Sequence, residues 1–312
     1  MRTRRDQSSR GYTLVELMVV LAIIGILLAM VGGGLLLARR AAHTAAQSND
    51  LRQVGFAWGQ YNVDNEAKFV PGLVSTRVQR NRRMGIAYPD HTPISPAPSF
   101  EASLPNTGGP WTWRLVEYLS NNLAPLLRGP DRELLPIFDY PAHGTHIAYS
   151  PAFAYNGWYV GGHWTMSTDG ARPLQAFRRA PLADRSYMNV VVTSAGKVKH
   201  PTKLIVFAPG TLVEDPGVAK ANEHDADGWF EVTPPWLADV HMWEMRELDN
   251  VEVFEQDVAI PWLGADRDLP VFHADGHVET LSLADLSEQD RWIDPAKAID
   301  ETPASQFTHE PE

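Results

Sequence analysis

Two histidines near the C-terminal end of the chain have a spacing that fits either a metal site or a hairpin. They lie in the stretch His273-Ala274-Asp275-Gly276-His277. Asp-Gly is a strong signal for a two-residue turn, which would place the two imidazoles on opposite faces of the hairpin. A three-residue turn would instead pair His273 with His277 on one face, where both could reach one metal ion. Since the sequence offers no evident third ligand, we predict a hairpin, and a metal-dependent hydrolase is the alternative.

A second candidate site is the acidic run that holds Glu223, Asp225 and Asp227, which Gly228 follows. Alternating carboxylates before a glycine are typical of the opening of a calcium loop. An EF-hand needs a bidentate Glu at the twelfth position, and that position is Pro234 here. The run is therefore not an EF-hand, and either a calcium site of another kind or a solvated acidic turn remains. We expect no other cofactor.

The rest of the composition excludes several classes of chemistry. The chain has no Cys, which removes disulfides, thiolate metal sites and cysteine nucleophiles. It has no Gly-x-Ser-x-Gly elbow, phosphate-binding loop or His-Glu-x-x-His motif, so we expect no enzymatic activity. Residues 41–312 carry 21 basic and 36 acidic side chains, and an acidic surface is a poor partner for nucleic acid.

A single acid, Glu16, lies at the start of a long apolar run. Residues 17–38 contain no charge, and as a helix they would span about 33 Å, against roughly 30 Å of membrane hydrocarbon. Four arginines within residues 1–10 predict a cytoplasmic N-terminus. A charge within the bilayer costs about 2.5–3.5 kcal/mol, so Glu16 needs a compensating partner or must reach the headgroups.

The stretch Gly11-Tyr12-Thr13-Leu14-Val15-Glu16 resembles the processing site of type IV prepilins and type II secretion pseudopilins, with Tyr in place of the usual Phe. The resemblance implies cleavage between Gly11 and Tyr12 by a prepilin peptidase, followed by methylation of the new amino group on Tyr12. It further implies that Glu16 meets the amino terminus of a neighbouring subunit and sets the register of a filament. A Glu that simply reaches the headgroups is the alternative.

The chain beyond residue 38 predicts a helix and then a head. Leu51, Val54, Trp58 and Tyr61 recur at the spacing of one helical face. We divide the chain into a leader (1–11), a transmembrane half-helix (12–38), an amphipathic spine (39–66) and a periplasmic or extracellular head (67–312). The predicted fold is α+β, with the long N-terminal helix packed on an antiparallel sheet, as in pilins.

Within the head, apolar and β-branched runs predict strands, and one longer apolar segment predicts a helix. Proline-rich residues 88–110 predict an irregular loop. The strands are expected at 188–193, 204–208, 251–254 and 271–272, and the helix at 115–127.

Parts of the head resemble a branch of large prepilin-like proteins that carry a C-terminal tag of His, nine residues and Asp-Gly. The resembling segments are 51–55, 69–71, 186–189, 198–207 and 271–278. The tag's His would fall on Ala265, so the tag is incomplete.

The sequence thus predicts a pilin-like or pseudopilin subunit of the inner membrane, single-pass, with its head in the periplasm. Its expected partners are the prepilin peptidase, other pilin subunits, the inner-membrane assembly platform and membrane lipid. We expect assembly into a type II secretion pseudopilus or a type IV pilus-like filament, as a minor subunit because the head is large. The alternative is a membrane-anchored binding module that uses the pilin signal for sorting.

Overall fold

The computed structural model describes residues 13–74, 111–127, 130–167, 173–175, 179–181, 187–220, 228–237, 240–247, 250–261 and 268–294. Four α-helices lie in these residues: α1 (Leu14–Asp64), α2 (Trp111–Val116), α3 (Thr145–Tyr149) and α4 (Leu283–Leu286). Short 3-10 turns lie at Glu117–Leu119, Ala124–Leu126, Pro130–Ile137, Ala195–Lys197 and Gln289–Arg291, and a π turn at Tyr140–Gly144.

The chain forms two compact units, residues 1–46 and residues 47–312. In the first unit the helical residues 14–27 expose their large apolar side chains, from Leu14 at 72% to Leu27 at 55%. Among the helices of the described residues, none is both long enough and apolar enough to span a bilayer. The transmembrane assignment of residues 12–38 stays a prediction.

In the second unit, residues 47–64 of α1 bury one face in the main apolar cluster. Leu51 and Val54 are fully buried, Trp58 is 4% exposed, and the partly buried Tyr61 packs against the same cluster. These are the four positions that the helical spacing predicts for the buried face. Trp58 meets the ring of Phe69 at 4.7 Å between centroids and that of Phe272 at 6.1 Å, edge to face.

The strands belong to several small sheets rather than one large sheet. Their bounds are β1 (Leu73–Val74), β2 (Ala154–Tyr155), β3 (His163–Met166), β4 (Pro173–Gln175), β5 (Arg179–Pro181), β6 (Tyr187–Asn189), β7 (Ile205–Ala208), β8 (Thr211–Val213), β9 (Gly217–Lys220), β10 (Trp236–Leu237), β11 (Val240–His241), β12 (Trp243–Glu247), β13 (Asn250–Val253), β14 (Val258–Ile260), β15 (Asp268–His273) and β16 (Val278–Ser282).

The central sheet has four antiparallel strands in the order β16-β15-β7-β2. All four residues of β7 are buried, as expected for a strand whose two faces are both covered. Phe207 of β7 lies opposite Phe272 of β15, and both belong to the cluster that holds Trp58. The sheet therefore meets the buried face of α1 through these aromatic side chains.

The predicted α+β class is confirmed, with two departures in detail. Among the strand pairs of the described residues, one is parallel, since β1 runs alongside β3 with Leu73 opposite His163. The helix predicted for residues 115–127 is wrong, because α2 ends at Val116 and 3-10 turns follow it. Ser120 and Asn121 have φ values of 53° and 58°, in the left-handed region, which no α-helix can continue through.

Three of the four predicted strands are confirmed, and the fourth is confirmed in part. Those at 204–208, 251–254 and 271–272 are confirmed as β7, β13 and β15, whereas the strand predicted at 188–193 is confirmed only in its first part, as β6. The loop predicted at 88–110 lies outside the described residues.

Candidate functional site

The start of α1 is built around Thr13 and Glu16. Oε2 of Glu16 accepts hydrogen bonds from the backbone N–H of Thr13 at 2.8 Å and from its hydroxyl at 2.9 Å. The hydroxyl oxygen in turn accepts the backbone N–H of Glu16 at 3.2 Å. This reciprocal pattern is a capping box, which satisfies helix N–H groups that have no partner within the helix. Glu16 therefore has an intrachain partner within its own first turn.

Sequence reasoning missed this role of Thr13, although its signal is plain. Thr followed three residues later by Glu, ahead of an apolar run, is the pattern of a capping box. Gly11 and Tyr12, the predicted cleavage pair, lie outside the described residues, as do the predicted calcium ligands Glu223, Asp225 and Asp227.

The hairpin between β15 and β16 turns in the form that brings its two histidines together. The N–H of His273 donates to the carbonyl of His277 at 3.0 Å, and the N–H of Gly276 donates to the carbonyl of His273 at 3.0 Å. Gly276 has φ +97°, a left-handed value that favours glycine at the end of a three-residue turn. The two imidazoles stack at 4.3 Å with 2° between their planes. The hairpin is confirmed, and its turn is the three-residue alternative.

The same face of the hairpin carries an acid that sequence reasoning missed. Oε1 of Glu279 lies 2.9 Å from Nε2 of His273. His277 directly precedes β16 and Glu279 lies within it, and their spacing of two residues along an extended chain places both side chains on one face. The signal was thus present in the sequence as His277-Val278-Glu279. Burial, together with the neighbouring His277, lowers the pKa of His273 to about 4, so this imidazole is neutral near pH 7.

A buried His–acid pair lies elsewhere in the head, and no sequence pattern predicted it. Nε2 of His163 is 2.5 Å from Oε1 of Glu231, with the two side chains 5% and 7% exposed. Trp158 stacks on the imidazole at 3.5 Å between centroids. Glu231 follows Phe230, whose carbonyl accepts the N–H of Tyr155 next to β7. The pair is enclosed in the interior, where it ties β3 to the 228–233 segment.

A groove of about 840 Å³ runs along the outer face of residues 52–64. Apolar side chains dominate its walls, among them Phe56, Val63, Tyr118 and Phe272. Phe56 and Val63 are 68% and 79% exposed, which is unusual for large apolar residues on a helix that is buried on its other side. The turn residues 274–276 also line this groove.

Comparison with known proteins adds one finding, at the N-terminus. Residues 6–32 match the family model described as the prokaryotic N-terminal methylation motif. No curated protein and no solved structure matches the chain significantly. The matched segment contains the capping box of Thr13 and Glu16 together with the predicted cleavage pair, whereas the C-terminal Asp-Gly tag has no such support. The chain therefore carries the N-terminal methylation motif, the signature of the pilins and pseudopilins.

Proposed function

We propose that this chain is a pilin-type structural subunit that a prepilin peptidase cleaves between Gly11 and Tyr12. The observation that carries the proposal is the methylation motif over residues 6–32, which supports a prepilin peptidase substrate that assembles with other pilin subunits. In the proposal the amino group of Tyr12 is methylated after cleavage. Residues 12–38 anchor the chain in the inner membrane, with the N-terminus in the cytoplasm and the head in the periplasm.

The proposed mechanism is mechanical rather than catalytic. Subunits polymerise through their N-terminal helices on an inner-membrane platform, in contact with membrane lipid, and form a type II secretion pseudopilus or a type IV pilus-like filament. The buried face of residues 47–64 supports a pilin-like packing of this helix on the sheet, since Leu51, Val54 and Trp58 join the cluster that holds Phe207 and Phe272. The size of the head supports a minor subunit, because bulky heads crowd a close-packed filament.

The experiment that tests the proposal is intact-mass spectrometry of the protein extracted from its own membranes. We expect loss of residues 1–11 and the addition of one methyl group at Tyr12. Gly11→Ala should leave the leader in place, whereas Gly25→Ala, at a helical glycine with no atom within 4 Å of the added Cβ, should be processed normally. An intact N-terminus in the native chain, or cleavage after Ala38, would contradict the proposal.

A second candidate function is a membrane-anchored binding module that uses the pilin signal only for sorting. The groove lined by Phe56, Val63 and Tyr118 favours it, because exposed apolar grooves commonly mark binding surfaces. Cross-linking in native membranes separates the two functions. A ladder of oligomers that disappears in Glu16→Ala indicates a filament subunit, and a monomer in both forms indicates an anchored binding module.

A further inference from the structure

The turn between β15 and β16 gathers three side chains that can donate to one cation. One ligand atom each from His273, His277 and Glu279 lies within 4.8 Å of the others. Two of the three come from the ends of the turn and one from β16, so the backbone of a single hairpin holds the whole set. We propose that this set binds a divalent transition-metal ion of the zinc class, a role independent of the proposed assembly.

The interior member of the set has unmet bonding capacity. His273 is fully buried, and neither of its ring nitrogens has a partner in hydrogen-bonding geometry, although Oε1 of Glu279 lies 2.9 Å from Nε2. A buried polar group without a partner destabilises the folded state. A metal ion would bind one of these nitrogens, whereas the carboxylate of Glu279 makes no hydrogen bond to Nε2.

The second histidine is already oriented by a carboxylate. Oδ1 of Asp275 lies 2.6 Å from Nδ1 of His277 and also accepts the backbone N–H of His277 at 3.1 Å. In metal-binding histidines the N–H of the other ring nitrogen characteristically donates a hydrogen bond to a carboxylate, which fixes the tautomer and the ring orientation. Nε2 of His277 is thereby left as the nitrogen that can bind a metal.

The local charge also suits a dication. Glu279 and Asp275 are acids at the turn, and Arg291 faces Glu279 with Nη1 at 3.6 Å from Oε1. The two carboxylates and the guanidinium together carry one negative charge. Two histidines and a carboxylate form a ligand set that zinc accepts, with a fourth position left for water or for another ligand.

Closing the site around an ion needs only side-chain movement. Ligand atoms that bind zinc at about 2.0–2.2 Å lie closer to one another than the 4.8 Å within which these three atoms now lie. Glu279 is 39% exposed, so it can change rotamer without displacing the core, while Asp275 keeps His277 oriented. His273, held in β15, supplies the fixed point.

The test is zinc binding by the full-length protein, purified in detergent and stripped of metal with a chelator. We expect one Zn²⁺ per chain in calorimetric titration, with affinity lowered about 100-fold or more in both His277→Gln and Glu279→Gln. The control is His146→Gln, because His146 also lies near an acid, with Nε2 at 3.5 Å from Oδ1 of Asp131, but is not part of the set. It should bind zinc like the native chain.

The visible absorption of bound Co²⁺ tests the proposal on the native chain, without any variant. Co²⁺ held by two imidazoles and a carboxylate in a four-coordinate site gives strong visible absorption, whereas octahedral Co²⁺ gives weak bands. Strong bands that Zn²⁺ displaces stoichiometrically would support the proposal. Weak octahedral bands, the absence of saturable zinc binding, or one-to-one binding that neither variant weakens would overturn it.

Discussion

The carboxylate of Glu16 and the hydroxyl of Thr13 are hydrogen-bonded to each other, and both also bond to the backbone of the first turn of α1. Glu16 is thus a helix cap, and under the proposed function it is also a charge partner for a neighbouring subunit. Two variants separate the roles. Glu16→Gln keeps an oxygen acceptor for Thr13 and loses the charge, whereas Thr13→Val keeps the charge and loses the hydroxyl.

If the charge of Glu16 drives assembly, Glu16→Gln should abolish cross-linked oligomers in native membranes, and Thr13→Val should only reduce their yield. The leader should be removed in both variants, which intact mass confirms before the yields are compared. The opposite ranking, with Thr13→Val the more severe, would mean that the cap and not the charge is what assembly requires.

The contact of Gly55 with Phe272 predicts a strong effect of one added methyl group. A Cβ on Gly55 would lie 2.1 Å from Cε2 of Phe272, whose ring is buried against Trp58 and Phe207. Gly55→Ala should therefore lower the free energy of unfolding by about 1–3 kcal/mol through overpacking. Chemical denaturation of the purified chain measures this change.

Gly59, one turn further along the same helix, is the matched control. No atom lies within 4 Å of a Cβ at that position, so Gly59→Ala should gain about 0.5–1 kcal/mol from helix propensity alone. Equal changes in the free energy of unfolding for the two substitutions would show that α1 does not pack closely against Phe272 at Gly55.

The buried pair of His163 and Glu231 should contribute more to stability than a surface pair of the same type. Glu231→Leu removes the acceptor and leaves Nε2 of His163 without a partner, at a cost of about 1–3 kcal/mol. Glu231→Gln keeps an oxygen near that nitrogen and should cost less. The measurement is the free energy of unfolding at neutral pH.

The comparison for this prediction is Asp131→Asn at the half-exposed pair with His146, where the change should stay below about 1 kcal/mol. A loss from Glu231→Leu no larger than that from Asp131→Asn would rule out a stabilising role for the buried pair.

His241 predicts a pH dependence of stability. Its imidazole lies between the rings of Trp236, at 4.1 Å, and Phe254, at 4.5 Å. Burial lowers its pKa, against the opposing effect of Glu244, so the folded state binds this proton less readily than the unfolded state does. Its contribution is therefore complete above the unfolded pKa of about 6.5, and it is lost as the pH falls through the lower folded pKa.

His241→Phe keeps an aromatic ring in the stack and removes the proton-binding site. Urea unfolding between about pH 7.5 and pH 5, where histidines titrate, should show a smaller loss of stability for this variant than for the native chain. Because every other titrating group is shared, the difference between the two curves isolates His241. Parallel curves would contradict the prediction.

The spacing of apolar residues predicted those parts of the fold that depend on a local sequence pattern. The helical spacing of Leu51, Val54 and Trp58 located the buried face of α1, and the continuous apolar run at 204–208 located β7. The class of the fold follows from such local signals, because a side chain's face is set by the period of its own element.

The sequence could not predict features that depend on contacts between distant segments. The 273–277 turn takes its three-residue form where the carbonyls of Leu204 and Pro201 accept the N–H groups of Ala274 and Asp275. The local Asp-Gly signal favours a shorter turn, and the tertiary hydrogen bonds override it. His163 and Glu231 meet for the same kind of reason, since only the folded arrangement of β3 and the 228–233 segment brings them together.

The position of β15 in the central sheet has a consequence for the order of events during synthesis. The face of α1 formed by Leu51, Val54 and Trp58 is made more than 200 residues before Phe272, which packs against it in the same cluster. Chains elongate at about 5–20 residues per second, so this apolar face stays exposed for roughly ten seconds or more before Phe272 is made. Long-range closure of this kind folds slowly and leaves the nascent chain open to aggregation. The head is therefore more prone to aggregate while it is being made than after its core is complete.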